Sequence, residues 1–83
     1  MKIHHYTAVF QKEPEGGYTV IIPALPGCVT YGETIEDAAI AAKEAIESYL
    51  GSLAKDNERA PIDVSFVSTI DVPLGPAHTP AYV

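Results

Sequence analysis

Residues 23–45 constrain this chain more than any other stretch: Pro23-Ala24-Leu25-Pro26-Gly27-Cys28-Val29-Thr30-Tyr31-Gly32-Glu33-Thr34-Ile35-Glu36-Asp37-Ala38, continuing to Glu44-Ala45. Pro26 presets φ for the second position of a tight turn, and Gly27 accepts the positive φ that a type II turn needs next. Residues 25–28 should therefore reverse the chain. Gly32 frees the backbone just before Thr34, a good helix N-cap, with Asp37 three residues on in a near capping-box arrangement. Glu36 and Asp37 add negative charge to the first helical turn, where the helix dipole favours it. The stretch reads as strand end, turn, short strand, glycine break and capped helix. Every local preference agrees.

The flanks follow from this frame. Residues 3–12 are rich in β-branched and aromatic types and contain no proline, so they predict a first strand. Ile3, His5, Thr7 and Val9 would share one face, and His4, Tyr6, Ala8 and Phe10 the other. Neither face is purely polar, so both call for cover, one by a helix and one by a second chain. Glu13-Pro14-Glu15-Gly16-Gly17 is a turn cluster, and residues 18–23 predict a second strand that closes a hairpin. Residues 28–31 have room only for a short third strand, and Pro23 and Pro26, which cannot donate ladder hydrogen bonds, suit a sheet edge.

The helix is expected from about Ile35 to Ala54. Ile35, Ala38, Ala39, Ala42, Ile46, Tyr49, Leu50 and Leu53 form one apolar stripe at helical spacing. Gly51 inside it marks either fraying or a close neighbour. A polar loop ends at Pro61. Residues 62–72 then alternate, with Val64, Phe66, Ile70 and Val72 on one face and Ser65, Val67, Thr69 and Asp71 on the other, which predicts a fourth strand. A right-handed crossover would set it parallel to the first. The expected fold is α+β: a two-layer β-β-β-α-β sandwich, its mixed four-stranded sheet in the order 3-2-1-4 with one helix on one face. Residues 1–72 would be the domain and residues 73–83 a proline-rich mobile tail. The uncovered, largely apolar sheet face predicts self-association as a dimer or tetramer.

The chain has 83 residues, about the smallest size at which a single core suffices. Its net charge of −6 argues against direct nucleic-acid binding and favours a basic protein partner. One cysteine excludes an internal disulfide framework. No apolar run approaches a membrane span and no signal peptide is apparent, so a cytoplasmic protein is expected. His4 and His5 would point to opposite faces of a strand, and His78 lies in the tail, so no metal site or cofactor is expected. Cys28 has no base beside it and reads as a small buried thiol. Asp63 and Asp71 are the strand carboxylates that a residual nucleic-acid hydrolase would use, but they make no convergent set, and no catalytic residue is assigned.

The central stretch resembles the HicB antitoxin family. The resemblance rests on Gly16-Gly17-Tyr18, on Pro23, Leu25, Pro26, Gly27 and Cys28, on Gly32, Thr34, Glu36 and Ala38, and on the Glu44-Ala45 pair; it covers roughly residues 1–70. These positions are mainly structural. The resemblance implies a degraded ribonuclease-H-like domain without nuclease activity, which masks a small basic HicA-type toxin that cleaves messenger RNA. Many members add a C-terminal DNA-binding domain, whereas here only a proline-rich segment follows Asp71, so no direct DNA binding is expected. Glu33, Glu36, Asp37, Glu44 and Glu47 are the candidate toxin-binding residues. The alternative is a stand-alone oligomeric scaffold or small-ligand-binding protein.

Overall fold

The computed structural model describes residues 3–75. Its elements in chain order are β1 (Val9–Lys12), β2 (Tyr18–Ile21), β3 (Val29–Gly32) and α1 (Ile35–Lys55). The strands form an antiparallel meander in the order β1-β2-β3, with Val9 opposite Ile21 and Ile21 opposite Val29. The architecture is α+β, one helix on one face of a small sheet.

The expected turn is present in detail. The Cys28 amide donates to the Leu25 carbonyl at 2.9 Å, and Gly27 takes φ +80°. The Leu25 amide donates to the Ile22 carbonyl and the Ile22 amide to the Cys28 carbonyl, each at 3.0 Å. This double clasp drives Leu25 inward beside Val20 and Ile22, the largest fully buried side chains. Thr34 caps α1, its hydroxyl oxygen accepting the Asp37 amide at 3.0 Å. The far end of the helix closes on Asn57 at φ +57°, with the Glu58 amide on the Leu53 carbonyl at 2.9 Å and the Asn57 amide on the Ala54 carbonyl at 3.1 Å. That pair of bonds is a Schellman motif, with asparagine in the left-handed position that glycine often fills.

The helix packs mainly over β3 and β2. Gly32 makes this possible: a Cβ there would lie 2.2 Å from the Ala38 backbone nitrogen, so the helix start rests directly on the strand. Ala38 and Ala42 complete the core, and Tyr18, Ala45, Ile46, Tyr49 and Leu50 pack around it, partly buried.

Four expectations need correction. Strand pairing begins at Val9, not at residue 3. Extending the register places Thr7 opposite Pro23, which has no amide to offer. Second, the helical stripe is narrower than expected, because Ile35 and Ala39 are exposed. The helix sits to one side of the sheet, so these positions have no strand beneath them. Third, α1 runs one residue further, to Lys55.

The largest difference concerns residues 62–72, which pair with no strand, so the sheet has three strands among the described residues where the alternation predicts four. The reason is local. Asp63 accepts the Thr7 amide on one carboxylate oxygen and the Ser65 amide on the other, the latter at 2.7 Å. The Tyr6 hydroxyl donates to the Pro61 carbonyl at 2.7 Å. These bonds moor the base of the segment to the chain just before β1, and the Asx-type turn at Asp63 then directs it away. His78 and the 76–83 part of the expected tail lie outside the described residues.

Candidate functional site

The cross-strand register sorts the sheet residues by face, because strand side chains alternate. Ala8, Phe10, Tyr18, Val20, Ile22, Cys28 and Gly32 lie on the helix side. The opposite face is open and carries two rows, Val9–Ile21–Val29 and Gln11–Thr19–Tyr31. Val29 is 55% exposed and Tyr31 47% exposed. Large apolar groups laid side by side without cover are characteristic of an interaction surface.

One end of this open face is acidic. Glu13, Pro14, Glu15, Gly16, Tyr31 and Glu33 line a shallow cleft of about 570 Å³. The turn cluster and the β3–α1 junction deliver these carboxylates from two places in the sequence. Thr19 donates its hydroxyl to Glu13 at 2.6 Å, and Tyr31 donates to the Gly16 carbonyl at 3.1 Å, so the wall of the cleft is held in shape. Gly17 leaves room for that tyrosine ring: it has φ +81°, and a Cβ there would come within 1.9 Å of the Tyr31 hydroxyl. Partial desolvation, and then the charges of Glu33 and Glu13, push the Tyr31 phenol above its usual range.

The sequence-predicted carboxylates are all exposed, and the structure divides them. Glu33 joins the cleft, and Glu36 and Asp37 stand close by in the first turn of α1. Glu47 lies instead along a different groove, in company with Lys43, and Glu44 is exposed on the helix and lines neither. Glu13, Glu15 and Tyr31 were not among the sequence candidates. Their signal was the hairpin register together with the two-residue spacing of Tyr31 and Glu33, which puts both on one side of an extended chain.

The second groove, of about 770 Å³, runs between the stretch leading into β1 and the helix, over Tyr6, Ala8, Phe10, Ala42, Ile46 and Leu50. It occupies the space beneath α1 on the far side of β1, where a fourth strand would lie.

The remaining candidates have structural surroundings. Cys28 is buried, and desolvation pushes its thiol up, away from the nucleophilic thiolate. His4 stacks on Tyr6, ring centroids 6.4 Å apart. Asp63 is held well below the usual carboxylate range, first by the Thr7 amide and then by Ser65, which is the signature of a mooring group. Among the described residues no group of three or more histidines, cysteines or carboxylates is arranged to hold a metal ion. No helix among them is long and apolar enough to cross a membrane.

Comparison with known proteins adds the lineage. A family model described as "HicB_like antitoxin of bacterial toxin-antitoxin system" matches residues 6–73. A UPF0150 protein of Thermoplasma acidophilum is 50% identical over 58 residues, covering 70% of this chain and 84% of its own length. Another UPF0150 protein, from Synechocystis, is 35% identical over 71 residues, covering 86% and 90%. Antitoxin HicB of Escherichia coli is 36% identical over 75 residues, which is 87% of this chain and 54% of that protein. The matched region takes in the clasped turn, the capped helix and the Asp63 mooring together. By fold, motif block and these relatives, the chain belongs to the HicB-like antitoxin family of bacterial toxin–antitoxin systems.

Proposed function

We propose that this chain neutralises a small, basic, HicA-type ribonuclease by docking it on the open sheet face, with the acidic cleft as the electrostatic anchor. The reading rests on the family and on one observation: an apolar row, Val9–Ile21–Val29, lies beside the row that ends in Tyr31, and Tyr31 lines a cleft with Glu13, Glu15 and Glu33. Apolar centres rimmed by charge are how transient protein interfaces are commonly built. The carboxylates would steer a cationic partner and set its orientation, while burial of the β-branched row and Tyr31 would slow dissociation. Glu36 and Asp37 extend the negative field from the helix start. Glu44 and Glu47 play no part in this docking. The mechanism is occlusion, on a β-β-β-α frame of ribonuclease-H-like descent, with no chemistry performed on the toxin.

Charge reversal tests it. Glu13→Lys combined with Glu33→Lys should weaken binding to a co-expressed basic toxin by roughly tenfold or more and flatten the salt dependence of affinity. The same change at Glu44 and Glu47 should leave both nearly unaltered. Equal effects from the two pairs would overturn the assignment of the surface, and absence of any complex or rescue would favour a stand-alone scaffold.

A further inference from the structure

Residues 62–74 form an extended arm whose composition does not suit the water around it. Its even-numbered positions read Ile62, Val64, Phe66, Ser68, Ile70, Val72 and Leu74, while its odd-numbered positions include Asp63, Ser65, Thr69 and Asp71. That is the two-residue period of a strand with one buried face and one wet face. Yet Phe66 is 90% exposed and Val64 is 86% exposed. The arm also stretches the molecule: the longest dimension is 54 Å and the radius of gyration 16.7 Å, against about 12 Å for a compact domain of this length.

The same chain carries a vacant place of matching shape. Among the described residues β1 pairs only with β2, which leaves its other edge without a strand neighbour there. Alongside it runs the apolar groove floored by Ala8 and Phe10 and roofed by Ala42, Ile46 and Leu50. A strand laid there would put one face under the helix and the other on the open sheet face, the alternation that the arm possesses. The lengths agree. Nine arm residues from Val64 to Val72 span about 30 Å, and the ten residues from Ile3 to Lys12 about 33 Å.

We propose that the arm of one copy is the fourth strand of a second copy, exchanged reciprocally in a symmetric dimer. Asp63 supplies the reason it does not close on its own chain. Its carboxylate takes the Thr7 amide beside β1 and the Ser65 amide on the arm, so the first donor on each side is committed and the Asx turn leads the chain outward. A second copy is the occupant because the arm's alternation fits this sheet and this helix, and because reciprocal exchange fills both grooves and covers both arms at once. The completed sheet then has the order 3-2-1-4, with strand four contributed by the other chain. The apolar side of the arm goes under the helix, whereas the proposed toxin contacts lie on the opposite face of the sheet, so self-association and charge-reversal binding read the two assignments separately.

The test uses the full chain. Sedimentation at micromolar concentration should give a dimer or a multiple of it. In a sample mixed from differently isotope-labelled copies, the Phe66 ring should show contacts to Ile46 and Leu50 methyl groups of the other copy by filtered nuclear Overhauser measurements. Phe66→Asp should weaken self-association roughly thirtyfold or more, as expected for a central aromatic anchor. Because Phe66 is exposed within one chain, that variant should retain the helical circular dichroism of the parent. Contacts found only within one copy would show closure on the same chain and overturn the proposal. A monomer with a solvated arm, or a dimer that Phe66→Asp does not weaken, would overturn it as well.

Discussion

Single residues set the tolerances of this fold, and Gly32 sets the tightest. Its missing side chain lets the Ala38 backbone approach to a distance that no Cβ permits. Gly32→Ala must push α1 off β3, and the expected loss is about 2–3 kcal/mol in urea unfolding, the usual range for overpacking a tight contact. Thr34→Ala removes one capping bond and should lose only about 1 kcal/mol, so the two variants separate packing from capping. Asp63 governs a different property. Its carboxyl is held low, so the mooring between Thr7, Ser65 and Asp63 is present above the ordinary carboxylate range and is lost as pH falls through and below it. Amide exchange at Thr7 should therefore accelerate in acid in the parent protein. In Asp63→Asn it should be fast at neutral pH already and respond little to acid beyond the intrinsic exchange chemistry. The sequence shows Asp63 only as an acidic residue on an alternating segment; its partner Thr7 stands 56 positions away, a pairing that no local pattern encodes.

At the scale of elements, the helix and the clasped turn were legible in advance because their determinants are local. A threonine cap, acidic first-turn residues, Pro26 and Gly27 each act within a few positions of where they stand. Gly51 was ambiguous for the opposite reason, since fraying and close packing leave the same mark on a sequence. The structure decides: helix continues through it to Lys55, and nothing lies within 4 Å of a Cβ placed there. Gly51→Ala should consequently stabilise the protein by about 1 kcal/mol, read as a raised denaturant midpoint at unchanged slope. The strands were less legible. The composition of residues 3–8 is that of a strand, but pairing is a property of two segments, and Pro23 on the opposing segment withdraws the donor that would have extended it. The acidic cleft shares this character, since Glu13, Glu15 and Glu33 converge only after the hairpin and β3 have paired.

For the whole molecule, the central quantity is the balance between a small core and a large exposed apolar surface. Among the described residues the buried apolar core consists of Val20, Ile22, Leu25, Cys28, Ala38 and Ala42, a modest core. Arm exchange would add Val64, Phe66, Ile70 and Val72 of the other chain to it. Each such side chain is worth about 1.5–3 kcal/mol when fully buried, before the entropy of ordering the arm is subtracted. Stability should then depend on protein concentration: hundredfold dilution should lower the thermal midpoint by several degrees, because the native state is assembled from two chains. Phe66→Asp should remove most of that dependence. A midpoint unaffected by dilution in the parent would mean that the core described here is sufficient alone.

The division between sequence and tertiary structure follows from the range of the forces involved. By itself the sequence determined the turn, the cap, the helix, the antiparallel meander and the family motif, all expressions of backbone preference and side-chain period acting over a few residues. Over residues 62–72 it carries the alternation of a strand, an expectation that the structure does not bear out. Only the tertiary structure decided that residues 62–72 pair with no strand among the described residues, that the helix covers β2 and β3 more than β1, and that the carboxylates divide between a cleft and a helix flank. Those outcomes depend on which distant groups reach one another first, and a carboxylate that takes the Thr7 amide settles such a contest in a way that no local pattern records.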